Sequence, residues 1–404
     1  MRYSAQEVMQ YVNEEDVKFI RLAFCDIYGK QKNISIMPGE LQRAFEYGIA
    51  IDASAISGFG DETHSDLFLR PDPGTISLLP WRPEHGRVVR MFCSIHNPNG
   101  EIFECDTRSL LKRAISDAQS RGLSFAFGPE TEFYLFKLDE NGINTKIPYD
   151  YAGYMDIAPE DKGENVRREI CLTLEQMGIC PESSHHEEGP GQNEIDFRYS
   201  DPLTSADNSM TFRTVVNAVA MRNGLHADFS PKPIADKPGN GFHINMSVKS
   251  ADGRDLLCNM IAGILDKAYE MTLFLNPAEE SYKRFGSSKA PICISWSGEN
   301  RSQLIRVPAA VGEYKRAELR SPDPLTNPYL AFALLIYAGI YGIENNLPLP
   351  EPANVNLYTA CEEVLSNYKK LPCSLEEAAK AARGSEFLSR YLHASLINNY
   401  CKRI

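Results

Sequence analysis

Two glutamates lie two residues apart inside an otherwise apolar run: Phe125-Ala126-Phe127, then Gly128-Pro129-Glu130-Thr131-Glu132, then Phe133-Tyr134-Leu135-Phe136. The flanking aromatics and the short length predict a strand. Side chains i and i+2 of a strand share a face, so both carboxylates point the same way. Like charges side by side raise each other's pKa unless a cation lies between them. A fold for this chain must therefore leave that face in water or supply a cation to it. A hard divalent ion, which prefers carboxylate oxygen, is the economical supply. Acids recurring downstream in similar settings favour it over two solvated glutamates.

The rest of the composition sets the frame. At 404 residues the chain is long enough for two domains, and its 43% apolar and 24% charged content is that of an ordinary globular protein. A net charge of −12 argues against nucleic acid or an anionic membrane as partner. No apolar run reaches membrane-spanning length, and Met1-Arg2-Tyr3-Ser4-Ala5-Gln6-Glu7 lacks a signal-peptide core, so a cytoplasmic protein is expected. The ten cysteines contain no Cys-x-x-Cys pair, which fits reduced, structural thiols better than a disulfide framework or a zinc site.

Two textures divide the chain. Before the turn Asn97-Pro98-Asn99-Gly100, helices are predicted over 5–13 and 41–46 and strands over 17–24, 32–36, 76–79 and 88–95. After it, helical patterns cover 107–120, 163–177, 204–223, 256–275, 328–342 and 374–382, with a loop over 138–160. Strands beside helices without regular β-α-β alternation predict an α+β fold with a largely antiparallel sheet.

The acids recur in His185-His186-Glu187-Glu188-Gly189-Pro190-Gly191-Gln192-Asn193-Glu194-Ile195-Asp196-Phe197. Glu194 and Asp196 alternate with apolar residues, again a strand against an acidic cavity; the two histidines read as ordinary polar residues. Pro231-Lys232-Pro233 precedes Lys237-Pro238-Gly239-Asn240-Gly241-Phe242-His243-Ile244-Asn245, where glycines permit close backbone approach and His243 opens another alternating strand. Basic residues follow: Tyr282-Lys283-Arg284, Asn300-Arg301-Ser302, Arg306-Val307-Pro308 and Arg316-Ala317-Glu318-Leu319-Arg320. In the last, two guanidinium groups and a carboxylate share one strand face. Arginine forks bind phosphate and carboxylate. Divalent metals bridging the phosphates of a nucleotide would satisfy acids and arginines together. No Walker-type Gly-x4-Gly-Lys-Ser/Thr is present, so a nucleotide would be held by another geometry.

In order and spacing these segments resemble the glutamine synthetase family, type I branch, from about residue 14 to 390. The anchors are Asp52-Ala53-Ser54, Gly128–Phe133, His186-Glu187 with Gly191-Gln192-Asn193-Glu194, Pro231-Lys232-Pro233, Gly241-Phe242-His243, Asn300-Arg301-Ser302, and Arg316–Pro322 with Asn327-Pro328-Tyr329. The resemblance implies a small β-grasp domain over 14–98 before a larger catalytic domain over 104–404, its sheet mainly antiparallel with flanking helices. It implies two ions, Mg²⁺ or Mn²⁺, one on Glu132, Glu187 and Glu194 and one on Glu130, His243 and Glu318. ATP would lie near Glu182, Asn245 and Ser247 with its phosphates on Arg306 and Arg316. L-glutamate and the transferred phosphoryl group would meet Gly239, Arg284, Arg301 and Arg320. Asp52, from a neighbouring subunit of a six-membered ring or a stacked dodecamer, would bind ammonium and help deprotonate it.

One departure touches the chemistry. The family's flap carries a glutamate before an Ala-Pro pair, which helps take the ammonium proton. Here the segment reads Arg284-Phe285-Gly286-Ser287-Ser288-Lys289-Ala290-Pro291, with Lys289 in that place. The reversed charge would weaken attraction for a cationic nucleophile and remove a base. Lesser departures are Pro238 for an asparagine, Asn245 for a common second histidine, and an early end at Ile404. Asn356-Leu357-Tyr358 matches the surroundings of a tyrosine adenylylated in some bacterial members, although an ordinary loop tyrosine is the simpler reading. The expectation is an ATP-dependent glutamate–ammonia ligase. A γ-glutamyl ligase for another amine is its rival, as are a non-catalytic nucleotide- or glutamate-binding ring protein and, less well matched to the arginines, a glycosidase.

Overall fold

The computed structural model describes residues 3–82, 85–286, 289–310, 312 and 315–402. Ser287 and Ser288 of the flap, Met1 and Arg2 of the start, and the final residues 403 and 404 lie outside them.

Residues up to the turn at 97–100 build a six-stranded sheet in the order Gln31–Ile36, Val17–Cys25, Arg87–His96, Asp66–Pro71, Ile49–Asp52, with Ser77–Leu78 paired to Arg87–His96. The pairing of Val17–Cys25 with Arg87–His96 is parallel and the others are antiparallel. Strands Ile49–Asp52 and Asp66–Pro71 escape the sequence reading; both are short and lie among turn-forming residues.

The second sheet has nine strands. Its path runs Trp296–Gly298, Ile305–Val307, Ala317–Leu319, Phe242–Ser250, Leu123–Leu138, Gln192–Phe197, Pro181–His186. Leu225–Asp228 and Asn144–Pro148 also pair with Leu123–Leu138. Among the described residues only Trp296–Gly298 with Ile305–Val307 is parallel, so the mainly antiparallel reading holds. Asn144–Pro148 corrects the loop expected over 138–160. Its sequence, Asn-Thr-Lys-Ile-Pro, carries too little apolar alternation to signal a strand alone. Arg316 and Arg320 flank the strand Ala317–Leu319 rather than lying within it. Beyond the expected helices, Glu386–Tyr391 and Ala394–Cys401 extend the helical tail.

The strands of this sheet alternate between two chemistries. Phe242, Ile244 and Met246 are buried on one side with Phe127, which stacks on Phe332 at 4.4 Å. Phe332 belongs to Pro328–Glu344, a helix apolar on nearly every side and therefore enclosed in the core. Asn327 caps it, accepting from Tyr329 N at 3.1 Å, while its amide donates to Ile27 O of the first domain at 3.0 Å. This helix crosses Leu257–Leu275 backbone to backbone. A Cβ at Gly263 would come 2.2 Å from Ala338 O, and one at Gly342 2.1 Å from Asn259 O. The apolar packing leaves the sheet's other face for chemistry.

No helix of the described residues is long and apolar enough to cross a membrane. No cysteine is paired.

Candidate active site

Register places the polar side chains. Glu132 lies opposite Glu194, and Glu130 opposite Asp196 on one side and His243 on the other. Asn245 lies opposite Glu318, and Glu318 opposite Arg306. His185 faces Glu194 across the next strand pair. Because directly paired residues share a face, one period-two pattern carried across six neighbouring strands gathers all of these groups.

Most of these groups line a cavity of about 550 Å³ that includes Glu130, Glu132, Glu187, Glu194, His243, Gly239, Arg284, Lys289, Arg301, Arg306, Arg316 and Arg320, while Glu318 is buried against Arg306 and Arg320. A second cavity, of about 590 Å³, is lined by Glu182, Tyr199, Asn245 and Lys249 and shares Glu130, Asp196 and Arg316 with the first. Ser247 continues the Asn245 face of its strand and acts on the Tyr199 phenol. Asp52 lines neither cavity: it is exposed in the first domain, and its carboxylate accepts from the Ser54 amide at 2.9 Å and hydroxyl at 2.6 Å.

The acids of the site divide into two electrostatic groups. Burial, then the carboxylates of Asp196, Glu132, Glu130 and Glu187, push the Glu194 carboxyl well above its usual range. Burial and Glu130 push Asp196 up to about 7. Glu132 is raised chiefly by burial, although its Oε2 accepts from Gly241 N at 2.7 Å. Glu187 goes the other way: burial would raise it, but the hydrogen bond from His185, 2.9 Å away, helps hold it down.

Glu318 is the second case. Burial raises it, yet Arg320, His243 and Arg306 outweigh burial and bring it to about 2. Arg306 Nη1 donates to it at 2.7 Å, and Arg320 donates to its other oxygen. A relay then joins the two cavities: Arg316 Nε donates to Asn245 Oδ1 at 2.9 Å, and Asn245 Nδ2 to Glu130 Oε1 at 2.7 Å.

Two sets of these side chains have the geometry for a cation. The ligand atoms of Glu130, Glu194 and His243 lie within 4.8 Å of one another, as do those of His185, Glu187 and Glu194. Glu194 belongs to both. Its raised pKa is the signature of an acidic cluster without positive charge, and carboxylate oxygens with imidazole nitrogen suit Mg²⁺ or Mn²⁺. The donor set therefore fits a divalent metal. A third cluster, Asp150, Asp161 and His186, is a structural network. Asp161 is paired with Arg167, and Asp150 Oδ1 lies 2.8 Å from His186 Nε2 and accepts from Gly191 N at 3.0 Å. It ties down both ends of the loop between Glu187 and Glu194.

Glycine is required where the cavity wall is thinnest. A Cβ on Gly239 would stand 2.4 Å from Pro231 O and 2.7 Å from Arg284 Cγ; one on Gly241 would stand 2.6 Å from His243 Nε2. Arg284 is buried and donates to Ser321 O at 3.0 Å. Lys289 crosses the mouth. Its ammonium pairs with Glu188 and lies 5.4 Å from the centre of the Tyr154 ring, while its carbonyl accepts from Arg320 at 3.4 Å. Tyr358 reaches the same rim, its hydroxyl 3.4 Å from Arg301 O.

Sequence reasoning left Asp196, His185 and Tyr199, among others at the site, without a role. Asp196 shows in the alternation with Glu194. His185 could be told from His186 only by strand pairing, which turns one into the cavity and the other into the core. Tyr199 packs over Gly128, where a Cβ would come 2.6 Å from its ring, and the two are 71 residues apart with no local signal.

A β-grasp domain followed by a catalytic domain whose sheet carries acids and arginines on one face defines an enzyme of the metal- and anion-handling kind. Residues 16–98 match the glutamine synthetase β-grasp domain and residues 104–403 the glutamine synthetase catalytic domain. The chain belongs to the glutamine synthetase family, the glutamate–ammonia ligases. It is 43% identical to the glutamine synthetase of Clostridium saccharobutylicum, over 99% of this chain and 94% of that one. It is 42% identical to that of Methanosarcina mazei, over 98% and 92%. Among solved structures it is similar to a GmaS/ADP complex, with a TM-score of 0.88 and 27% identity over 98% of this chain and 94% of that one. The glutamine synthetase of Plasmodium falciparum shares the fold at a TM-score of 0.87 and 22% identity, over 100% and 95%.

Proposed function

We propose that this chain joins an amine to the γ-carboxylate of L-glutamate at the expense of ATP, through a γ-glutamyl phosphate, with ammonia as the amine. The observation that carries the reading is the meeting of Glu130, Glu132, Glu187, Glu194 and His243 with Arg306, Arg316 and Arg320 at two joined cavities, with Glu318 buried against Arg306 and Arg320.

Glutamate occupies the first cavity, with Arg301, Arg320, Arg284 and the Gly239 backbone as its partners. ATP occupies the second, near Glu182, Asn245 and Ser247, its phosphates reaching Arg306 and Arg316. Two divalent ions, Mg²⁺ or Mn²⁺, would be held by Glu132, Glu187 and Glu194 and by Glu130, His243 and Glu318, where they would neutralise phosphate charge and orient the two substrates; of these ligands, Glu187 with Glu194 and Glu130 with His243 already lie within reach of a common cation. The glutamate γ-carboxylate attacks the γ-phosphoryl group and ADP leaves. Arg306, Arg316 and Arg320 stabilise the charge that spreads over the transferred oxygens. Ammonia then attacks the acyl phosphate and releases phosphate. The lid formed by Lys289, Glu188 and Tyr154 excludes water that would otherwise hydrolyse the intermediate.

Asp52 lies outside its own chain's cavities, so its part in binding ammonium requires a neighbouring subunit, as in a hexameric ring or a dodecamer. Lys289 favours a second reading, in which the nucleophile is another amine. Its ammonium stands at the mouth where a small cation would enter, and like charges repel there.

Purified protein with ATP, Mg²⁺ and glutamate, with and without ammonium, tests both. Glutamine formed in step with ADP is expected. ADP released without glutamine would move the reading to another amine, and neither product would overturn the ligase.

A further inference from the structure

Away from the active site, a cavity of about 160 Å³ lies between the strand Arg87–His96 of the first domain and the helix Pro202–Arg222 of the second. Its charged lining is Asp72, Arg90, Arg108 and Asp207. Three of these four are matched. Arg108 donates from Nε to Asp207 Oδ1 at 2.9 Å and from Nη2 to Asp207 Oδ2 at 2.8 Å and Asp72 Oδ2 at 3.0 Å. Asp207 also accepts from the Tyr329 hydroxyl at 2.7 Å, and Asp72 lies 3.5 Å from Lys112.

Arg90 is the exception. It is 7% exposed and makes no hydrogen bond or ion pair among the described residues; its guanidinium sits over the Phe92 ring at 3.9 Å. Burial depresses its pKa to about 10, although the nearby Asp207 carboxylate acts in the opposite direction. A buried guanidinium without hydrogen bonds is unusual, because removing such a charge from water is costly unless it is paired. Across the cavity, Thr204 and Asn208 are spaced i and i+4 on the helix, so they share a face, and neither side chain has a hydrogen bond among the described residues. One unmatched cation and two free neutral donors thus face a space too small for a nucleotide.

We propose that this interdomain cavity binds a small oxyanion, a phosphate or a carboxylate, through Arg90 with Thr204 and Asn208. Arg108 positions the wall and offsets the charge of the two carboxylates, Asp72 and Asp207, that line the same cavity. The ligand would join the two domains, since Arg90 belongs to one and Thr204 and Asn208 to the other.

The test combines a direct view with a solution measurement. Crystals of the full chain are soaked in selenate, an anomalous analogue of phosphate. A selenium peak within hydrogen-bond distance of Arg90 is expected, and its absence in Arg90→Met. In solution, exchange of chloride for phosphate or for acetate at equal ionic strength should raise the wild-type Tm by about 2 °C or more through linkage. Arg90→Met should lose that part of the rise while starting from an equal or higher Tm, because it deletes an unpaired buried charge. The phosphate and acetate arms separate the two ligand sources. Asn208→Leu fills the neutral side, leaves the Arg90–Phe92 stack intact, and should act alike if Arg90→Met fails to fold. A cavity holding only water in selenate, with equal anion responses in wild type and variants, would overturn the site. The active-site reading is untouched by that result.

Discussion

At the scale of single residues, Glu194 carries a conflict of like charges. It is buried, surrounded by four other acids, and shared by the two clusters able to hold a cation. Glu194→Gln is therefore expected to raise the metal-free Tm and to abolish the further rise on adding Mn²⁺; thermal melts in chelator and in Mn²⁺ read both effects. A merely structural glutamate would lower the Tm in both conditions. Lys289 is the second telling residue. One unit charge a few ångströms from an entering cation, in a half-exposed setting, corresponds to roughly 1–2 kcal/mol. Lys289→Glu should thus raise kcat/KM for ammonium about tenfold, with the KM for ATP unchanged. An unaltered ammonium response would show that the lysine does not gate the nucleophile. His185 and His186 teach a different lesson. They are chemically identical neighbours, and the half-turn of a strand sends one to Glu187 and the other to Asp150.

At the scale of elements, the site stands on the contrast between the two faces of one sheet. The apolar face depends on the helix Pro328–Glu344, and that helix depends on approaching Leu257–Leu275 closely at Gly342 and Gly263. Gly342→Ala puts a methyl 2.1 Å from a backbone oxygen, which no rotamer change relieves. Its expected cost is about 3 kcal/mol, seen as a lower midpoint in denaturant. The helix itself was plain in the sequence, because seventeen residues with almost no charge have nowhere to lie but the core. The acidic strands were legible for the complementary reason: a carboxylate at every second position among aromatics has few structural uses. The strand Asn144–Pro148 was not legible, since it is held by pairing with Leu123–Leu138 rather than by its own composition.

At the scale of the whole molecule, the domains are joined by charged groups as well as by apolar contact. Asp72 of the first domain reaches Arg108 and Lys112 of the second. Burial would raise its pKa, but Arg108 and Lys112 outweigh burial and lower it. A folded pKa below the unfolded value of about 3.9 stabilises the protein above that pH, and the contribution is lost as pH falls through the folded value. Asp72→Asn should accordingly lower the Tm at pH 7 and flatten its decline below about pH 4, as a pH series of melts would show. Assembly belongs to this scale too. If Asp52 serves a neighbour's cavity, Asp52→Ala and Glu194→Gln subunits should each be inactive, and reassociated mixtures should regain part of the activity. Mixtures that stay inactive would confine each site to one chain.

The sequence by itself determined the family, the α+β class and the strands that bear the acids. Those are properties of local pattern and order, and they survive without a third dimension. Tertiary structure decided which acids lie close enough to hold a cation, which histidine faces them, how Lys289 is held across the mouth, and that Arg90 Nη1 is buried without a hydrogen-bond partner. Each of these depends on cross-strand register or on contact between residues far apart in the chain. Pairing of that kind is set by the packing of the whole sheet and its helices, and no stretch of sequence contains it.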